Sequence, residues 1–98
     1  MEIKKAADPE NMTELEKKHT PVISIEGDKV KVIVGEITHP MEEEHYITYI
    51  ELFNGEESVS KKELNPGEAP EAVFEDVPLS ENLKAQELCN IHGLWESL

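Results

Sequence analysis

Valines at every second position, Val30, Val32 and Val34, with Lys29, Lys31 and Ile33 between them, narrow what this chain can fold into more than any other feature. A period of two puts one set of side chains on one face of an extended strand and the other set on the opposite face. Val22, Ile23 and Ile25 come just before, joined to the valines by Glu26-Gly27-Asp28. Two apolar runs with a glycine turn between them predict a β-hairpin. A hairpin with one apolar face needs a second layer to cover it.

The pattern recurs along the chain. Tyr46 to Phe53, rich in β-branched and aromatic residues, predicts a third strand. Asn54-Gly55 is a strong hairpin turn and leads into Glu57 to Leu64. Asn65-Pro66-Gly67 interrupts the chain, and Ala72 to Val77 and Leu83 to Cys89 read as two more strands. Six or seven short strands without a long helix, in 98 residues, predict an all-β sandwich in one domain. Residues 1–18 are polar, with no apolar period beyond Leu15, and read as a short irregular tail or helical turn ahead of a single domain over residues 19–98.

Charge excludes some partners. With 22 acidic and nine basic residues the net charge is −13, which argues against nucleic acid and against an acidic membrane surface. The N-terminus has no apolar run of the signal-peptide kind, and no stretch approaches membrane-spanning length. One cysteine cannot make an intrachain disulfide. The expectation is a soluble, cytoplasmic protein.

That cysteine is Cys89, three residues before His92, and the other histidines are His19, His39 and His45. All four histidines fall beside predicted strands, where a rigid sandwich carries function on its loops. Taken singly, each has an ordinary explanation: paired loop histidines are usually solvated, and a lone cysteine is usually a small buried hydrophobe. Jointly they are one thiol and four imidazoles at strand ends, a set suited to a metal. A closed structural zinc site takes four ligands, so this set would overfill it. Blue copper pairs two histidines with a cysteine and an axial methionine, yet Gly93, Leu94 and Trp95 follow here. A cupredoxin-like electron carrier with a single metal is therefore the alternative reading. Iron accepts four imidazoles and a thiolate with one position left free, and an axial thiolate pushes electron density toward what binds opposite it.

Three segments, His19-Thr20-Pro21-Val22-Ile23, His39-Pro40-Met41-Glu42-Glu43-Glu44-His45-Tyr46 and Cys89-Asn90-Ile91-His92-Gly93-Leu94-Trp95, resemble superoxide reductase. That family includes neelaredoxin and the iron-binding domain of desulfoferrodoxin, and the likeness runs from about Glu16 to Trp95. The resemblance implies an immunoglobulin-like sandwich over residues 19–98, with the active-site loop in residues 1–18. It implies one iron per chain, with His19, His39, His45 and His92 equatorial and Cys89 axial. It implies one-electron reduction of superoxide to hydrogen peroxide, with a rubredoxin-like donor returning the iron to the ferrous state. Dimers and tetramers are the family's assemblies. The additional four-cysteine iron site of the desulfoferrodoxin type has no counterpart in a chain with one cysteine. The family carries a lysine just before the first histidine, and Lys18 stands there as an attractor for the anionic substrate. The glutamate usual before that lysine is replaced by Lys17, with Glu16 one residue further back. Beside Lys18, Glu16 is the second catalytic candidate: either the loop bulges so that Glu16 reaches the metal, or the carboxylate cap is lacking, and the second is the expectation.

Overall fold

The computed structural model describes residues 2–78 and 80–97. Its elements are β1 (Ile3–Lys4), α1 (Glu14–His19), β2 (Pro21–Glu26), β3 (Lys29–Val34), β4 (Ile47–Asn54), β5 (Glu57–Glu63), β6 (Glu71–Phe74), β7 (Leu83–Cys89) and β8 (Gly93–Glu96). A five-stranded sheet in the order β1-β8-β7-β4-β5 faces a three-stranded sheet in the order β2-β3-β6. All neighbours are antiparallel except β1 and β8. The expected all-β, immunoglobulin-like sandwich is the fold observed.

The valine alternation fixes the register. Val30, Val32 and Val34 are fully buried and pack with Ala72 and Phe74 of the same sheet and with Ile50, Leu52 and Ala85 of the facing one. Each buried valine contributes roughly 1.5–3 kcal/mol, and a one-residue slip would expose all three. Two hairpins close through two-residue loops, one after Glu26 and one after Asn54. Gly55 takes the first loop position of the second, with φ 63°, so Asn54 is still paired within the strand.

The structure is more ordered at both ends than the strand pattern predicts. β8 lies inside the segment that the sequence marks for chemistry, and its four residues are too few for a period-two signal. β1 has two exposed residues and exists only by pairing with β8, Ile3 against Leu94 and Lys4 against Trp95. The strand expected over Ala72 to Val77 stops at Phe74, and Asp76 takes φ 56° to bring buried Val77 back onto the carbonyl of Asp28. No helix among the described residues is long and apolar enough to cross a membrane.

Candidate metal centre

Four histidines and the cysteine reach one end of the sandwich by four separate routes. His19 is the last residue of α1, a helix of six residues that would be marginal alone. Its start is fixed by a capping box. Glu16 N–H donates to Thr13 Oγ1 at 3.1 Å, and Glu16 Oε1 accepts from Thr13 N–H at 2.8 Å. Its end is fixed against the loop that follows β3, where Ile37 N–H donates to the Lys17 carbonyl and Gly35 N–H to that of Thr20. Gly35 has φ 88°, and a Cβ there would meet the Lys18 carbonyl at 2.6 Å. Only glycine allows this close approach, and it lets the loop carry His39 back over α1.

His45 is positioned by a tight turn. Glu42 and His45 exchange backbone hydrogen bonds at 3.0 and 3.1 Å, which folds Glu43 and Glu44 outward. Met41 anchors the same loop. It packs on the core, its sulfur accepts from Ile47 N–H at 3.4 Å, and its carbonyl accepts from Gly67 N–H at 2.8 Å. Asn90 then joins this loop to the turn between β7 and β8. Its Oδ1 accepts from Tyr46 N–H, its Nδ2 donates to the Glu44 carbonyl, and its own N–H donates to Tyr46 O. Asn90 stands in the Cys89–Trp95 segment, and the sequence alone signals no role for it.

The rings form a closed square. Successive centroids lie 4.6 Å apart from His19 to His39, 4.7 Å from His39 to His45, 5.1 Å from His45 to His92 and 4.8 Å from His92 to His19. Neighbours are edge-on, whereas His19 and His45 face each other across 6.4 Å at 27°. One ligand atom each from His19, His39, His45 and Cys89 lie within 4.8 Å of one another. His92 falls outside that tighter set but turns Nδ1 to 3.9 Å from Cys89 Sγ. Cys89 is buried at the end of β7, and Sγ accepts from His92 N–H at 3.4 Å. Trp95 stacks on the His19 ring at 5.2 Å and donates its indole N–H to the His92 carbonyl.

The donors fit a cation. His19 Nδ1–H donates to the Leu15 carbonyl and His39 Nδ1–H to the Pro40 carbonyl, both at 2.7 Å. In their neutral form both rings therefore turn an Nε2 lone pair inward, with these two nitrogens 3.1 Å apart and Cys89 Sγ 3.5 Å from that of His39. His45 Nε2 is buried with no hydrogen-bond partner among the described residues. Lone pairs so close repel one another unless a positive ion satisfies them. Two metal–imidazole bonds of about 2.1 Å at a right angle would separate their nitrogens by about 3 Å. Burial first, and then the neighbouring rings, lowers the pKa values of His19, His39 and His92, with His39 at about 4. These three imidazoles are thus neutral near pH 7, as a metal requires. Burial pushes the Cys89 thiol up, against the amides of His92 and Ile91 that favour the thiolate, so a metal must displace its proton.

The square is closed below and open above. A hollow of about 370 Å³ over the rings is lined by Glu14, Leu15, Lys18, His19, His39, Pro40, His45 and His92, whereas the thiol lies away from it. Lys18 Nζ sits 3.4 Å from the well-exposed carboxylate of Glu14, a solvated pair worth about 0–1 kcal/mol, so its charge is available at the mouth. Glu16 is elsewhere: one oxygen caps α1 and the other accepts from Ala7 N–H at 3.2 Å. Those amides hold its carboxyl below the usual range.

Comparison with known proteins points the same way. The family model described as Desulfoferrodoxin matches residues 11–98. A desulfoferrodoxin homolog of Archaeoglobus fulgidus is 50% identical over 80 residues, 82% of this chain and 62% of that protein. This chain spans 61% to 62% of the length of the desulfoferrodoxins it matches first. Among solved structures, the superoxide reductase of Treponema pallidum superposes with a TM-score of 0.73 at 38% identity, covering 86% of this chain and 67% of that one. The superoxide reductase of Giardia intestinalis, described as 1Fe-SOR, gives 0.72 at 33% identity, covering 83% and 95%.

Proposed function

The chain belongs to the desulfoferrodoxin family, and from that membership we propose that it is a superoxide reductase, converting superoxide to hydrogen peroxide at one iron held by His19, His39, His45, His92 and Cys89. The observation that carries this reading is the square of imidazoles with a buried thiol beneath and a solvent-open hollow above. Bound there, iron supplies one electron and an open coordination position.

The chain's own residues do the rest. Leu15 and Pro40 carbonyls hold the His19 and His39 rings in the tautomer that presents Nε2. Lys18 draws the anionic substrate into the hollow against the repulsion of a chain of charge −13. Reduction of superoxide to hydrogen peroxide consumes one electron and two protons, and the open hollow admits water to deliver the protons. Glu16, engaged on the backbone, stays out of the hollow, where the carboxylate is that of Glu14 beside Lys18. The same reading gives the protein a rubredoxin-like electron donor, a dimeric or tetrameric assembly and a cytoplasmic location.

The test is product analysis. Iron-loaded, reduced protein given superoxide should form hydrogen peroxide without releasing dioxygen. Dioxygen appearing together with peroxide would identify dismutation and overturn the assignment.

A further inference from the structure

β1 has no packing reason to exist. Both its residues are exposed, and a two-residue edge strand gains almost nothing from its two rungs of pairing. What it does is set Lys4 beside Trp95 in register and lead the lysine side chain to the β7–β8 turn. Lys4 Nζ donates to the His92 carbonyl at 2.9 Å and lies 5.8 Å from the Trp95 ring centroid. Its end also lies within 3.8 Å of where a Cβ on Gly93 would sit.

The His92 backbone is thereby held at both ends. Its N–H is on Cys89 Sγ, and its carbonyl takes two donors, the Lys4 ammonium and the Trp95 indole at 3.1 Å. The ammonium, like those of Lys17, Lys61 and Lys62, forms no ion pair among the described residues. Lys5, Lys18, Lys29, Lys31 and Lys84 each lie near a carboxylate, whereas among the described residues none lies within 4.0 Å of Lys4. Hence a cation without a counter-charge stands on the turn that carries both Cys89 and His92.

We propose that Lys4 is a positioning residue of the metal centre, anchoring the Cys89–His92 turn through the His92 carbonyl and raising the reduction potential of the metal held there. The proposal rests on the iron reading above. The physical reason for the second effect is Coulombic: a nearby cation destabilises the oxidised, more positive state more than the reduced one. Lys4 is solvent-exposed, which weakens the effect without abolishing it.

The experiment is redox titration of the iron-loaded wild type, Lys4→Met and Lys4→Arg, followed by absorption and accompanied by iron analysis. Lys4→Met should favour the ferric form by roughly three- to tenfold at a fixed potential, a lowering of about 30 to 60 mV for one electron. Lys4→Arg, which keeps charge and donor, should recover most of it. An unchanged potential in Lys4→Met, or no recovery in Lys4→Arg, overturns the proposal. Should Lys4→Met hold too little iron to titrate, cobalt(II) affinity measured against a chelator decides. Affinity about tenfold weaker and restored by arginine supports the anchor, and affinity equal to wild type overturns it. Superoxide reduction by the same wild-type preparation keeps the two readings apart. An inactive wild type with a Lys4-dependent potential would sink the proposed reaction and leave the role of Lys4 standing.

Discussion

Glu87 is fully buried on β7, two residues before Cys89 on the same face of the strand, paired with Ile50 on one side and Trp95 on the other. Neither of its carboxylate oxygens has a hydrogen-bond partner among the described residues. Burial alone pushes its pKa from 4.5 up to about 9, so the folded protein carries it as a neutral acid near pH 7. The sign of the consequence is definite. Below about pH 4.5 folded and unfolded chains both hold the proton; between there and about pH 9 only the folded chain does. Stability therefore falls as pH rises through that window, by up to about 1.4 kcal/mol per pH unit from this group. Glu87→Gln keeps the shape and removes the ionisation, so its unfolding free energy should fall about 2–3 kcal/mol less than wild type between roughly pH 6 and pH 8. Denaturant unfolding at the two pH values measures this, and parallel losses would mean that Glu87 is solvated in the folded state. Nothing in the sequence distinguishes Glu87 from the other acids. Its alternation with Ala85 and Cys89 carries no more than a strand pattern.

At the scale of elements, the centre depends on α1 more than its length suggests. The helix has few residues to sustain it, so its cap and its docking on the Gly35 loop determine where His19 stands. Thr13→Ala removes the acceptor for Glu16 N–H and loosens Glu16 from its structural task. The expected cost is about 1 kcal/mol, read as a lower melting temperature, together with weaker metal retention because His19 lies in the last turn. A lowered melting temperature with unchanged metal affinity would show that the β2 start alone positions His19. What was legible here follows from physics. Strands β2, β3 and β4 carry enough alternating or β-branched residues to declare themselves, β5 follows from the Asn54-Gly55 turn, and Leu83–Cys89 ends where its pattern ends. β1 and β8 are sustained by each other, and local pattern holds no record of a parallel pairing between residues about 90 positions apart. The convergence of His19, His39, His45 and Cys89 is legible in part because the histidines fall outside the strands and Cys89 ends one. The hydrogen bonds of Asn90 and Lys4 were not, because they cross between elements.

The whole molecule is strongly acidic, at −13, and its substrate in the proposed reaction is an anion. Capture then depends on the local field at the hollow rather than on the net charge, and Lys18 is the cation that lines it. Lys18→Ala should slow superoxide consumption about tenfold, weaken the dependence of the rate on salt, and leave bound iron unchanged. A rate equal to wild type would assign Lys18 to its pairing with Glu14 alone. Behind this and the other functional expectations stands the claim that one thiol and four imidazoles hold a single metal. Metal analysis with the visible spectrum of the oxidised protein, wild type against Cys89→Ser, tests it most directly. The account predicts about one iron per chain and a thiolate-to-iron charge-transfer band that Cys89→Ser lacks. Tightly bound copper in place of iron, or a band that persists without Cys89, would contradict it.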